Sequence, residues 1–160
     1  MILPVQICPL AGYRVKRMIK NSGFSLLEVL VALVVLSIGL LGLAALQITG
    51  LKNNQSAYYR TSATVMAYDM ADRMRLNRTV AQSGGYNLAI ADNAPGGTSL
   101  ADTDRIDWLN NIAAALPVGD GAIGLTTVGT KQIVSITIQW DDSRGNSGNA
   151  AQSFVMSTEL

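Results

Sequence analysis

From Phe24 to Leu46 the chain is almost continuously apolar. In these 23 residues Glu28 is the only charge, and Ser25 and Ser37 are the only hydroxyls. Roughly 20 apolar residues, at about 1.5 Å each, cross a hydrocarbon core about 30 Å thick. The run therefore predicts a membrane-crossing helix. Beyond it the pattern becomes amphipathic. Tyr59, Ala63, Met66, Met70 and Met74 recur at helical spacing on one face, as expected for packing against a sheet. Asp69 precedes Arg73 by four residues, a favourable helical pair. No proline interrupts residues 24–94. One helix over 24–78 is predicted, about 80 Å long, with Gly39, Gly42 and Gly50 as weak points.

Polar breakers follow. Ser83-Gly84-Gly85 should end the helix, and residues 93–98 form a turn cluster. Residues 104–116 predict a short helix stopped by Pro117. Its apolar face is Ile106, Leu109, Ile112, Ala113 and Leu116, with Trp108 on a neighbouring, partly exposed face. Alternation at Val134, Ile136, Ile138 and Trp140, and again over 152–160, predicts strands. An earlier strand is expected near 122–128. The expected fold class is α+β, a long helix packed on an antiparallel sheet of three or slightly more strands.

Charge changes the picture at the N-terminus. Arg14, Lys16, Arg17 and Lys20 precede the apolar run, and no acid comes before Glu28. The positive-inside rule then places residues 1–23 in the cytoplasm and the C-terminal part outside it. The chain carries a formal net +1; residues 24–160 hold 8 basic and 11 acidic residues, a net −3. Without a basic patch, nucleic acid is not an expected partner. The sole cysteine, Cys8, precedes the apolar run, so residues 24–160 cannot form a disulfide within themselves.

The residues for catalysis are sparse. Histidine is absent, which removes His-based triads and common zinc sites. No glycine-rich phosphate loop ends in Lys-Ser/Thr. No enzymatic activity and no cofactor are expected. Asp141, Asp142 and Asn146 are oxygen ligands by type but lack a regular calcium-loop spacing. A solvated turn is the expectation there, and no metal. Arg73, Arg75 and Arg78 complement the negative end of the helix dipole.

Three interpretations suit this N-terminus. A secretory signal usually has an apolar core of about 7–15 residues before a small-x-small site. Here the core is longer, holds a carboxylate, and offers only Gly42-Leu43-Ala44 as a loose match. A plain single-span anchor explains the run but not Glu28, because an ionisable group inside a membrane segment is costly. The third interpretation rests on the junction itself. Gly23-Phe24-Ser25-Leu26-Leu27-Glu28-Val29-Leu30-Val31-Ala32-Leu33 resembles the leader junction of type IV pilins and type II secretion pseudopilins. That resemblance implies a pilin-like fold and cleavage by a prepilin peptidase between Gly23 and Phe24, followed by N-methylation of Phe24. Residues 1–23 would be a cleaved leader, 24–46 a transmembrane and assembly helix, and 47–160 an exported domain. Met18 is a second possible start, giving a short leader.

Chemistry supports a role for Glu28 in assembly. Cleavage would create a cationic amine at Phe24, titrating near 7.7–8. Glu28 of one subunit facing the amine of another would form a strong attraction at low dielectric. Snorkelling of Glu28 to the interface is the alternative. Within the group the chain looks most like the minor pilins. The residues that carry this are 26–33, Ser37-Ile38-Gly39-Leu40-Leu41-Gly42, and the late Ile136-Thr137-Ile138-Gln139-Trp140-Asp141-Asp142. Type II secretion minor pseudopilins share the N-terminal pattern, and a signal-bearing periplasmic binding domain is a more distant alternative. The implied partners are other minor pilins, the major pilin, the prepilin peptidase, the pilus assembly platform and inner-membrane lipid. The implied location is the inner membrane, single-pass, and then the pilus.

Overall fold

The computed structural model describes residues 23–145 and 148–160. Its elements run α1 (Leu26–Leu76), α2 (Arg78–Gln82), α3 (Leu100–Ala115), β1 (Asp120–Val128), β2 (Lys131–Trp140) and β3 (Gln152–Glu159). The chain divides into two compact units, one ending at Leu41 and one running from Gly42 to Leu160.

In the first unit the described residues belong to α1 and the three residues before it, and every side chain is exposed. An all-round apolar helix with none of the described residues over it has a face to bury elsewhere. Among the described residues α1 alone is long and apolar enough to cross a membrane.

The second unit holds the core. Ala63, Ala67, Met70, Ala71 and Met74 are the buried positions of α1. Tyr59 and Met66 are partly buried at the edge of the same cluster. The predicted stripe thus covers the sheet. Strands β1, β2 and β3 form an antiparallel sheet in that order. Rows Gly121–Ile138–Phe154 and Ile123–Ile136–Met156 lie in register across it and face the core. Gly129-Thr130 joins Val128 to its partner Lys131, and Gly129 has φ +64°. A glycine with positive φ at the first central position suits a two-residue hairpin.

The structure corrects three expectations. The long helix stops at Leu76 rather than near 78. Asn77 interrupts it, and the separate turn α2 follows. The short helix starts at Leu100, four residues early, because Ser99 and Asp102 form a complete capping box. That pairing satisfies backbone N–H groups that a helix start leaves free.

The inner face of α3 also differs. It comprises Ala101, Asp104, Trp108 and Ile112, while Ala113 is exposed. Trp108, expected to be partly exposed, is fully buried. Its indole N–H donates to the Met66 carbonyl at 2.9 Å. Counting apolar residues found Ile112 and Leu116, both buried, and Leu109 at the core's edge, but missed Trp108 and the aspartate that shares its face. Asp104 tolerates burial because it accepts hydrogen bonds from Arg73 (3.2 Å) and the Tyr86 hydroxyl (2.6 Å). Gly121 completes the seat, since a Cβ there would lie 2.4 Å from the Trp108 ring.

Candidate functional site

The N-terminal end of α1 gathers all three residues singled out by the junction. Gly23, Phe24 and Ser25 precede the helix, and Glu28 sits in its first turn. Ser25 acts as the cap. Its carbonyl accepts from the N–H groups of Glu28 (3.1 Å) and Val29 (3.3 Å). Its Oγ also accepts from the Glu28 N–H at 3.2 Å. A side-chain oxygen bonding the third helical N–H is the usual N-cap arrangement. The Ser-x-x-Glu spacing is a legible capping signature. Reading the junction for its charge alone passes over Ser25.

Glu28 is held where a carboxylate is favoured, since the first turn carries the positive end of the helix dipole. Phe24 is 82% exposed. Together Phe24 and Glu28 border a groove of about 360 Å³ whose other walls are Val29, Ala32, Leu33 and Leu36. Among the described residues no cation pairs with Glu28. An apolar groove with one unpaired carboxylate suits a partner offering an apolar surface and one positive charge.

Gly23 has open space around its missing side chain. Nothing in the fold demands glycine there, so the fold itself does not explain that residue. Gly39, Gly42 and Gly50 are equally open, although each weakens a helix by about 1 kcal/mol relative to alanine.

The other singled-out residues lie in the second unit. Arg73 pairs with Asp69 at 2.9 Å and with Asp104 at 3.2 Å. Partial burial opposes its charge, but those two hydrogen bonds outweigh it and hold the guanidinium above its ordinary pKa. Burial and the Asp104 bond likewise raise the Tyr86 hydroxyl. Arg75 pairs with Asp72 and donates to Thr158. Arg78 donates to the Leu160 carbonyl. These arginines tie the end of the helical segment to α3 and β3, beyond any effect on the dipole. The Asp69–Arg73 pair forms as the spacing predicts.

Asp141 and Asp142 do not act together. The Asp142 side chain is buried and accepts from the Ser56 hydroxyl of α1. Asp141 accepts from the Ser143 N–H at 2.8 Å; the Ser143 side chain first, then this backbone bond, lower its pKa, with the nearby Arg144 charge adding to them. Asn146 lies outside the described residues, as do Cys8, Met18 and the four leader cations. No grouping of three or more metal-ligating side chains occurs among the described residues.

Residues 18–44 match the prokaryotic N-terminal methylation motif. This span contains Gly23, Phe24, Ser25, Glu28 and most of the apolar run, and it supports a type IV pilin-like family. It also supports processing by a prepilin peptidase and assembly with other pilins. The apolar helix and the motif are consistent with anchoring in the inner membrane. No curated protein and no solved structure matches the chain.

Proposed function

We propose that the chain is a minor pilin of a type IV pilus, resembling PilV, the type IV pilus modification protein. In this reading the prepilin peptidase cleaves after Gly23 and methylates the new amine of Phe24. The subunit then enters the filament or the complex that initiates it, and carries no catalytic site of its own. One observation carries the reading: Glu28, a carboxylate with no cationic partner among the described residues, borders an apolar groove one turn from Phe24, inside the methylation motif. A neighbouring subunit supplies what the groove lacks, an apolar helix and a cationic terminus. The open glycines at 39, 42 and 50 support close approach between helices, as small residues do inside membranes.

A minor pseudopilin of a type II secretion system, of the I type, shares the junction and is the second reading. The deciding experiment begins with intact mass and N-terminal peptide mapping from hosts with and without prepilin peptidase. A peptidase-dependent N-methyl-Phe24 terminus supports both readings. An unprocessed terminus in both hosts, or cleavage near Ala44, sinks them together. Deletion then separates them. Loss of twitching with normal secretion identifies the pilus subunit, and blocked secretion with normal twitching identifies the pseudopilin.

A further inference from the structure

The two edges of the sheet are finished differently. In an antiparallel ladder alternate residues turn their N–H and C=O toward the neighbouring strand, and the others turn them away. On β1 the residues that point away are Gly121, Ile123 and Leu125, and each N–H has an acceptor. Ile123 and Leu88 exchange hydrogen bonds at 2.8 and 2.9 Å. The Leu125 N–H donates to Asn87 Oδ1 at 3.1 Å, and the Gly121 N–H donates to Asp120 Oδ1 at 2.7 Å. The segment between α2 and α3 thus closes much of that edge.

The outer edge of β3 is open. The Leu160 N–H donates to the Gln132 carbonyl at 3.1 Å, in step with the pairing of Glu159 and Ile133. Thr158, Met156 and Phe154 therefore bond β2, while Ser157, Val155 and Ser153 present N–H and C=O outward. Those outward groups have no hydrogen-bond partner among the described residues. The pairing runs from Gln152 to Glu159 without a bulge. Residues 152–158 contain no proline and no charge, and bulges, prolines and charges are the usual means of blunting an exposed edge. Val155, near the middle, is 56% exposed. Phe154 and Met156 are only partly buried on the core side.

We propose that this edge receives a strand of another pilin-type subunit, added antiparallel to β3. Main-chain hydrogen bonds to Ser153, Val155 and Ser157 supply the affinity, and side-chain pairs supply the choice of partner. Glu159 is the sole charge of β3, so the incoming strand carries a lysine or arginine opposite it. By that register, the residue four places after the cation faces Val155, and those three and five places after it face Met156 and Phe154. All three are apolar. A second copy of this chain does not meet the pattern. β3 paired antiparallel with itself about Val155 sets Ala151, not a cation, against Glu159. The two-fold axis would also pass through the sheet on which α1 packs. It would point the two helices in opposite directions, which copies anchored in one membrane cannot adopt. That last argument rests on the anchored reading above, whereas the open edge does not.

The probe is the acetylated and amidated peptide Thr-Lys-Thr-Thr-Val-Val-Val-Thr-Thr, titrated into the full chain in mild detergent. Amide exchange is followed residue by residue. Saturable slowing is expected at Ser153, Val155 and Ser157, with Phe154 and Met156 unchanged. Val155→Pro removes an outward N–H without breaking a bond to β2, and should weaken binding about tenfold. N-methylation of the peptide's central valine makes the matching deletion and leaves the chain untouched, so the test stands even if that variant fails to fold. Glu159→Lys should weaken the peptide about two- to fivefold and favour one with glutamate in place of its lysine. No saturable slowing, slowing that survives N-methylation, or indifference to the charge exchange overturns the proposal. Concentration-dependent slowing of the same amides without peptide assigns the edge to a second copy, and overturns it too. In cells, a photo-crosslinking residue at Ser153 should capture a chain that itself carries a Gly-Phe leader junction; capture of any other class removes the pilin-type partner. None of these readouts involves cleavage at Gly23, so their failure leaves the proposed function standing.

Discussion

Glu28 and Gly121 show two ways in which a single residue is fixed. Glu28 is satisfied through its backbone by Ser25, while its carboxylate has no cationic partner among the described residues. Removing only the charge should therefore leave processing intact and weaken assembly. Glu28→Gln is expected to keep the Phe24 terminus but lower incorporation into filaments at least about tenfold, or roughly 1.4 kcal/mol. Quantitative blotting of sheared pili against whole membranes measures this. Undiminished incorporation would assign Glu28 to interface snorkelling instead. Gly121 is fixed from inside the fold. Its missing Cβ is replaced by the Trp108 ring at 2.4 Å and Ile112 at 3.0 Å. Gly121→Ala should overpack this joint and cost about 1–3 kcal/mol, read as a lower urea midpoint. Gly124→Ala, three residues on, on the exposed face of β1 and with open space, is the control and should change little.

At the level of elements, the capping box of α3 makes a testable start signal. Ser99→Ala should cost about 0.5–2 kcal/mol and fray the helix toward residue 104. Loss of amide protection at residues 100–104 would reveal it. The Asp102 pKa is lowered, first by hydrogen bonds from the Ser99 side chain and then by the Arg105 side chain. The folded state thus binds this proton less readily than the unfolded chain. The resulting stability is present above the usual carboxylate range near 3.9. It is lost as pH falls through the depressed folded value. Acid titrations of wild type and Ser99→Ala should converge there. The same helix shows what one sequence reveals. Periodicity located α1, the Met stripe and the strands, because each buries a face that reads as apolar. It found α3 but missed part of its inner face, because Asp104 is buried by pairing with Arg73 and Tyr86, residues distant in sequence that only the fold brings close. The junction at Gly23, Phe24 and Glu28 falls within the matched methylation motif, a signal carried by adjacent residues. A mixed-charge cleft lined by Lys52 and Asp141 was not legible, since those residues come from opposite ends of the second unit.

At the level of the whole molecule, the chain has a part that buries its own core and a part that buries nothing by itself. Residues 47–160 expressed alone should fold cooperatively and remain monomeric without detergent. The full chain should require detergent or lipid. Coincident melting of far-ultraviolet circular dichroism and tryptophan emission would establish the single transition, and separate transitions would refute it. Two buried indoles make that experiment sharper. Trp108 sits between α3 and α1 with its N–H bonded to the Met66 carbonyl. Trp140 ends β2, and its buried N–H meets no acceptor among the described residues. Trp140→Phe removes a donor that costs energy to bury, so it should destabilise less than Trp108→Phe. Each variant leaves one native fluorophore at a different joint. A subunit drawn along its helix by a retracting filament would then report, by the colour of its own emission, which joint yields first.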